Sequence, residues 1–551
     1  MIRHKDQANM LKIVTAPFCG SSVARAILAL LLASCTEPSP ETASTPVLLE
    51  AQNTVSSVRA GLTEEAHAAI DQERVQWQSW QPATFATARR LDRLILLFLM
   101  SPWAGSDPFA QADIPLRALV QERYVPIRVD PLRRPDIARR YGSAGWPALA
   151  VALPDGRLVA AATDIPATNI HPFLLNLANH YRDRRQDVES RAGASRPASV
   201  AAGIGAPVTT AALYANLLSE HDAVHGGFGN SAKFPETSVI RFLLAYYDHH
   251  REATALSMAS RALDILIKAP MWEEGHGGVL SYSFTPDWLT PIREKDGADQ
   301  AGLLQALLDA RKLVNEPYSD SVAGLLVYIR GELFDFGTGA FYSRQVQRHQ
   351  AGRRSDWWTD PTVYTDSNAL LIMACLRAGG GEGAHGSTAT DMALAAAAYL
   401  VQHCVRADGA VFHCVTENGP QTPGLLDDQM LTARALWQAY QASDREEFAS
   451  ASRRIVEWTD TNLYDDQERA FIDGVSDIAI PTWQSTARFS DTTVPAGNVT
   501  AATLYLSLGQ HDKLASLLGD RAFDPRAPRR AYASFGSTLL RWQETMDGAP
   551  Q

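Results

Sequence analysis

Several carboxylates and one histidine at predicted helix starts or on loops could carry chemistry in the C-terminal part of the chain. Two carboxylates can cleave a glycosidic bond, one as acid and one as base or nucleophile, and single acid/base groups can move the proton in an epimerisation. The best catalytic candidates are Glu294, Asp427 and Asp428. Asp427 and Asp428 begin a predicted helix, where acids also complement the helix dipole, and Glu294 could form a plain ion pair with Lys295. Further candidates are Glu273, Glu274, His276, Asp296, Asp299, Asp366 and Asp491.

Two cysteines suggest a different chemistry. In the stretch HCVRADGAVFHC, Cys404 and Cys414 flank a predicted turn and could approach closely enough for a disulfide, which an exported protein would permit. His403 and His413 beside them also allow a zinc site, although adjacent His-Cys pairs are not the usual zinc spacing. A disulfide candidate, two free thiols and a metal site therefore stand as three alternatives, and no cofactor is assigned.

The first third of the chain alternates predicted strands and helices and ends in a hairpin, an α/β pattern of thioredoxin size. The thioredoxin fold usually carries Cys-x-x-Cys after its first core strand, but this chain has no cysteine between Cys35 and Cys375. Disulfide exchange needs a thiolate nucleophile, so we exclude thiol oxidoreductase activity for this domain. Trp103, Trp146 and Pro147, the last expected in the cis form, would then line a binding groove or serve as packing.

From about residue 209, apolar residues recur at helical spacing, and roughly twelve helices are predicted. Short turns rich in glycine and aromatic residues separate the helix pairs at intervals of about 50 to 70 residues. Six such pairs predict an (α/α)6 toroid, in which one ring of helices lies inside another. An open helical solenoid is the alternative.

The N-terminus indicates export. A basic region precedes AILALLLASC, whose apolar run is too short to span a bilayer and suits a signal peptide. The residues LASC resemble a bacterial lipobox, so we expect a lipid on Cys35 and a membrane-anchored protein in the cell envelope. Thr36 favours the periplasmic face of the outer membrane. An ordinary cleaved signal and a start at Met10 remain alternatives.

These patterns predict five segments. They are a signal peptide (1–34), a tether (35–64), a thioredoxin-like domain without Cys-x-x-Cys (65–188), a linker (189–208) and an (α/α)6 domain (209–551). The formal net charge of -11 over 551 residues argues against nucleic-acid binding. Five cysteines are too few for a disulfide scaffold.

Several short motifs, in this order, are similar to those of the spermatogenesis-associated protein 20 type of thioredoxin-domain family. They are WQSWQPATFATARR, VPIRVDPLRRPDI, GWPALAVALPDGR, GGFGNSAKFP, LSYSFTPDWLTP, GLLDDQ and PAGN. The resemblance implies a thioredoxin-like domain followed by a six-hairpin glycosidase-like barrel, with no settled reaction. The chain departs from the family pattern at 104–107, where Cys-His-Trp-Cys is usual, at Ile292, where the family has histidine, and at Ala496, where it has serine.

Two functions follow as expectations. The first is a non-catalytic or weakly active envelope protein that binds a glycan or a protein through the toroid funnel and the thioredoxin-like groove. The alternative is a carbohydrate-active enzyme, a glycoside hydrolase or sugar epimerase, that uses funnel carboxylates. Besides the groove residues, the candidate binding residues are Phe228, Lys233, Tyr282, Trp288, Lys295 and Asn498.

Overall fold

The computed structural model describes most of the chain from residue 74 to residue 547. The described residues are 74–101, 103, 107–110, 112–142, 147–163, 165–193, 207–268, 270–314, 318–347, 356–380, 384–475, 480, 486–524 and 527–547. They form two compact units: residues up to 193 with Ile480, and the others from 207 onward. The predicted signal peptide, tether, Cys35 and Trp146 lie outside the described residues. Among the described helices, none is both long and apolar enough to cross a membrane.

The first unit is an α/β unit with a mixed four-stranded sheet. Its elements are α1 (Pro82–Leu91), β1 (Leu94–Leu99), α2 (Ile114–Arg123), β2 (Tyr124–Val129), α3 (Pro135–Tyr141), β3 (Ala148–Ala152), β4 (Leu158–Thr163), α4 (Ala167–Asp183) and α5 (Arg185–Arg191). The strand order is β2-β1-β3-β4, with β1 parallel to β2 and the other neighbours antiparallel. This matches the predicted alternation of strands and helices with a closing hairpin.

Strand β1 is central because both of its faces are covered. All six of its residues are buried, and successive side chains point to opposite faces. Phe98 and its neighbours on one face pack with residues of α2 and α4, including Leu116 and Leu174. On the other face, Leu97 packs with Phe85 of α1 and residues of α3. A strand buried on both faces reads as a continuous apolar run, which is how LILLFL appears in the sequence.

The second unit is helical, with short strands between the helices. Its helices are α6 (Thr210–Glu220), α7 (Thr237–His250), α8 (Ala253–Leu266), α9 (Gly297–Leu313), α10 (Ser319–Tyr328), α11 (Thr365–Gly379), α12 (Ala384–Tyr399), α13 (Leu426–Ser443), α14 (Glu446–Leu463), α15 (Gly497–Ser507), α16 (His511–Leu518) and α17 (Ala533–Asp547). Its strands are β5 (Glu294–Asp296), β6 (Arg344–Gln347), β7 (Trp357–Thr359), β8 (Val363–Tyr364), β9 (Phe412–Thr416), β10 (Gly419–Pro423), β11 (Tyr464–Asp465) and β12 (Ala470–Phe471).

Six of these helices close into an inner ring. Helices α7, α9, α11, α13, α15 and α17 each contact the next one, and α17 contacts α7. Each inner helix packs against one outer helix: α8, α10, α12, α14, α16 and α6 respectively. The predicted (α/α)6 toroid is therefore confirmed, and the open solenoid is excluded.

A recurring side-chain device joins four inner helices to the turns before them. In each case a buried amide near the helix start accepts a backbone N–H from the turn and donates to a backbone carbonyl there. We call these four residues the amide clasps: Gln300 to Val279, Asn368 to Phe341, Gln429 to Val411 and Gly409, and Asn498 to Phe471. The glycine/aromatic turns that the sequence repeats are thus the segments that the clasps hold.

We expect Asn368→Ala to lower the free energy of unfolding by about 2–4 kcal/mol, because buried backbone groups of Phe341 would lose their partner. Urea denaturation measures this change. The control is Asn418→Ala on the exposed turn between β9 and β10, where the change should stay within about 0.5 kcal/mol. Equal effects of the two substitutions would contradict a structural role for the clasp.

Candidate functional site

The starts of the six inner helices meet at one end of the toroid, which we call the funnel end. Neighbouring helix starts lie side by side: Gly297 beside Ser367, and Gly497 beside Asp427. Asp491, just before α15, accepts the backbone N–H of Ser534 in the first turn of α17 at 3.0 Å. Because helix starts carry unpaired backbone N–H groups and positive partial charge, acidic side chains are favoured there.

Three side chains at the funnel end form what we call the acid–base cluster: Asp366, His413 and Asp428. Their ligand atoms lie within 4.8 Å of one another. His413 Nδ1 lies 2.9 and 3.1 Å from the two carboxylate oxygens of Asp428. Strand pairing assembles the cluster, since Tyr364 of β8 is opposite Cys414 of β9. His413 directly precedes Cys414, and Asp366 lies two residues after Tyr364.

The three members differ in accessibility and in charge state. Asp428 and His413 are buried, with exposed fractions of 1% and 4%, whereas Asp366 is half-buried. Burial raises the pKa of Asp366 to about 7; the charge of His413 opposes this rise and that of Asp428 adds to it. Since Asp428 accepts the Nδ1 proton, it fixes the ring orientation of His413. A carboxyl group that titrates near neutrality can act as either acid or base.

The same three groups are a conceivable divalent-cation site, with one imidazole and two carboxylates. The hydrogen-bond distance between His413 and Asp428 indicates a proton between them, and a cation bound to that nitrogen would displace it. The arrangement therefore fits proton transfer better than metal binding.

Arginines neutralise other carboxylates at the funnel end. Arg488 contacts Asp427 at 2.8 Å, and Asp427 also accepts the backbone N–H of Gly497 at 2.8 Å. Arg344 pairs with Glu294 at 3.1 Å and with Asp296. Burial raises the pKa of Glu294, while Arg344 opposes the rise.

Two more half-buried acids at the funnel end have raised pKa values. Burial, followed by the charge of Asp296, raises the pKa of Asp299 well above its usual value. Burial raises the pKa of Asp491 to about 6, against hydrogen bonds from Ser534 and Ala496. Perturbed carboxyl groups concentrated in one place are typical of functional sites.

Aromatic side chains lie on the loops that lead into α7 and α9. Phe234 stacks on Tyr282 with ring centroids 5.2 Å apart, and Phe284 meets Tyr282 edge-on at 5.1 Å. Phe234 and Phe284 are 47% and 58% exposed. We call these three residues the aromatic rim. Exposed aromatic faces of this kind suit stacking against a sugar ring or another flat apolar surface.

The two lysines predicted to bind ligand lie inside the protein. Lys233 and Lys295 are 0% exposed. Lys233 donates to Asp222 at 2.9 Å and to the carbonyl of Gly229. Lys295 donates to Glu273 at 3.1 Å and to the carbonyl of Gly277 at 2.6 Å. Both ammonium groups hold the turn before an inner helix and do not face solvent.

Other predicted binding residues pack inside the protein or hold its turns. Phe228 and Trp288 are buried, and the indole N–H of Trp288 donates to the carbonyl of His225 at 3.1 Å. Asn498 is one of the amide clasps. Of the predicted groove residues, Trp103 is half-buried, and the bond between Trp146 and Pro147 falls partly outside the described residues.

The structure corrects the disulfide candidate: Cys404 and Cys414 are not joined. The turn between them closes by pairing Val405 with Val411. Cys414 therefore lies three residues beyond the paired position, whereas Cys404 lies one residue before it. Burial raises the pKa of the Cys404 thiol to about 12, which disfavours the thiolate that zinc requires.

The remaining candidate acids and histidine lie apart from the acid–base cluster. Glu273 is held by Lys295, and Glu274 and His276 are exposed on the same turn, with His276 3.4 Å from Glu332. Sequence reasoning considered His413 only for zinc. Its role depends on the pairing of Tyr364 with Cys414, for which the sequence carries no local signal.

The chain is thus an α/β unit and an (α/α)6 toroid with an acid–base cluster. Residues 65–197 match the family model "Thioredox_DsbH: Protein of unknown function, DUF255". Human spermatogenesis-associated protein 20 is 25% identical over 306 residues, covering 49% of this chain and 38% of that protein. The rat protein is 23% identical over 319 residues, covering 52% and 39%. The resemblance is therefore confirmed, although the chain spans only about two fifths of these relatives' length.

Solved structures with a similar backbone include two enzymes that act on sugars. A D-mannose isomerase is 11% identical with a TM-score of 0.49, covering 61% of this chain and 96% of that one. A cellobiose 2-epimerase from Spirochaeta thermophila is 13% identical with a TM-score of 0.48, covering 61% and 97%. The closed helix ring is established by its own contacts and does not depend on these likenesses.

The raised pKa of Asp366 predicts how stability depends on pH. The folded state holds this proton up to about pH 7, whereas an unfolded aspartate releases it near pH 4. Stability from Asp366 is therefore complete below about pH 4 and falls as the pH rises to 7. We expect Asp366→Asn to gain roughly 1–3 kcal/mol relative to wild type between pH 4.5 and pH 8, after allowance for solvent screening. Denaturant unfolding at both pH values tests this; a difference that does not change with pH would contradict it.

Proposed function

We propose that the toroid is a carbohydrate-active domain that transfers a proton on a bound sugar, with Asp366 as the exchanging group. The observation that carries the proposal is a half-buried carboxyl group with a pKa of about 7 beside the buried His413–Asp428 pair. General acid–base catalysis is most effective when the group titrates near the working pH.

The three residues take different roles in this proposal. Asp428 orients His413, and His413 supplies a polar group beside Asp366. The Asp366 carboxylate accepts a proton from the carbon next to the carbonyl of an open-chain sugar, which gives an enediolate. The Asp366 carboxylic acid, whose proton exchanges with solvent, then protonates the former carbonyl carbon, and the hydroxyl proton of the enediolate moves from one oxygen to the other. Because one proton leaves carbon and one is added to carbon, this isomerisation needs no oxidant and no leaving group.

Glycoside hydrolysis receives less support from this cluster. A hydrolase needs two carboxyl groups that both face the scissile bond. Asp428 is 1% exposed and both of its oxygens lie within hydrogen-bonding distance of His413. Among the initial catalytic candidates, Glu294 and Asp427 are paired with Arg344 and Arg488.

Those ion pairs favour a second candidate, glycan binding without turnover. Salt bridges at the funnel end fix the positions of these carboxylates, which suits hydrogen bonding to hydroxyl groups better than proton transfer. The aromatic rim would supply stacking area in either case. Binding and catalysis therefore share the rim and differ in whether Asp366 exchanges a proton.

Deuterium incorporation separates the two candidates. The purified chain is incubated in D2O with a panel of reducing hexoses and disaccharides, and NMR follows deuterium at the carbon next to the carbonyl. We expect exchange by wild type and a loss of roughly 10²- to 10⁴-fold in Asp366→Asn. Glu274→Gln, which alters an exposed carboxylate outside the cluster, is the matched control and should retain the activity.

Binding is measured on the same panel by calorimetry. Saturable sugar binding that Phe284→Ala weakens and Asp366→Asn preserves, without any exchange in wild type, would replace the catalytic proposal with the binding one. Neither exchange nor binding across the panel would reject a carbohydrate site.

We also propose that the first unit is a thioredoxin-like docking module without redox function. Its strand order and the family match over residues 65–197 support this. We propose that this unit binds a protein or a glycan. We also propose that a lipid on Cys35 anchors the chain to the cell envelope.

Lipid labelling in a bacterial host tests the anchor. A radiolabelled fatty acid should be incorporated into the wild-type chain and should be absent from Cys35→Ser, since no other residue of the LASC motif carries a thiol. The variant should also leave the membrane fraction. Equal labelling of both proteins would overturn the proposal.

A further inference from the structure

Arginines of the inner helices cluster away from the funnel end. Arg377 lies in the last turn of α11, and Asp309 lies in the second half of α9. The first residue of α7, Thr237, lies beside Gly302, the sixth residue of α9. Arg241, near the start of α7, therefore lies alongside the second half of α9, where Asp309 is. The arginine cluster, as we call it, consists of Arg241, Arg377, Arg434 of α13 and Arg541 of α17.

Asp309 is shared between two of these arginines. Its Oδ2 lies 2.8 Å from Arg241 Nε, and its Oδ1 pairs with Arg377. Arg434 is repelled by Arg541, Arg241 and Arg377; burial and these charges lower its pKa to about 9. Glu544 acts on Arg541 but is itself 53% exposed and lies 3.8 Å from His249. The positive charge of the cluster thus exceeds the negative charge of its surroundings.

Buried N–H donors in this region have no acceptor within the described part of the chain. They are Arg434 Nε and Trp437 Nε1. Arg434 and Trp437 are three residues apart on α13 and so share one face of that helix. A buried donor without an acceptor destabilises the fold, so such groups call for a ligand, an ion or ordered water.

We propose that the arginine cluster binds a phosphate-type oxyanion, with Arg434 and Arg541 as its principal ligands and Arg241 and Arg377 completing the positive site. Guanidinium groups match the geometry of phosphate oxygens and bond to them in pairs. The carbonyl ends of the inner helices attract arginines, but the Nε of Arg434 and the Nε1 of Trp437 still have no acceptor in the described part of the chain. Water could bond to those donors without compensating the charge. This inference is independent of the proposed function, because it uses neither the acid–base cluster nor the aromatic rim.

Equilibrium dialysis of the full chain with radiolabelled inorganic phosphate tests the site at constant ionic strength. We expect saturable binding of about one phosphate per chain, and a dissociation constant raised at least about 10-fold in Arg434→Gln and in Arg541→Gln. Arg453→Gln on outer helix α14, where the side chain is 55% exposed, is the charge-matched control and should bind as wild type does. Arg541 is exposed, so Arg541→Gln decides the question if Arg434→Gln does not fold.

Competition then identifies the source of the phosphate group. A hexose 6-phosphate that displaces the label more strongly than unlabelled phosphate indicates a phosphorylated sugar, and weaker displacement indicates the free ion; both outcomes support the site. Absence of saturable binding in wild type, or equal weakening in Arg453→Gln, would overturn it.

Discussion

The toroid depends on hydrogen bonds from buried amide side chains to the turns before the inner helices. Three of these amide clasps lie within two residues of acids that a catalytic arrangement would need to hold in place. Asp299 directly precedes Gln300, Asp428 directly precedes Gln429, and Asp366 lies two residues before Asn368. Since each clasp satisfies a backbone N–H and a carbonyl together, rotation of the helix start would leave both unpaired. The clasps therefore both hold the helix starts rigid and fix the positions of the neighbouring acids.

Charge compensation sets the chemistry of the individual acids. Arginines hold Asp427, Glu294 and Asp296 as ion pairs, whereas Asp366 is faced by His413 and by the like charge of Asp428. Desolvation without an arginine partner disfavours the charged form of a carboxyl group. The same end of the toroid thus combines carboxylates that are paired with arginine and a carboxyl group, Asp366, whose pKa of about 7 allows proton exchange near neutral pH. That division of roles separates structural ion pairs from a reactive group.

The helical repeat, the toroid and Asp366 as a candidate were within reach of the sequence, because helical periodicity and turn spacing are local signals. The role of His413 was not, since it arises from pairing of Tyr364 with Cys414, strands fifty residues apart. The burial of Lys233 could not be predicted from the sequence either. A lysine beside glycines and aromatic residues is equally consistent with a buried ion pair and with a ligand contact. Its partner Asp222 lies in the preceding turn, and only the folded turn brings the two charges together.

Closure of the ring has a consequence for synthesis on the ribosome. Arg530 bonds to Glu236 and Glu220 across sequence separations of 294 and 310 residues, and α17 packs against α7. The flank of α7 that α17 covers therefore stays exposed until α17 has been synthesised. Late long-range closure slows folding and leaves apolar surface open to aggregation or to chaperones. Loss of α17 would leave α7 without this neighbour, so a segment that is synthesised long after α7 determines whether α7 is covered.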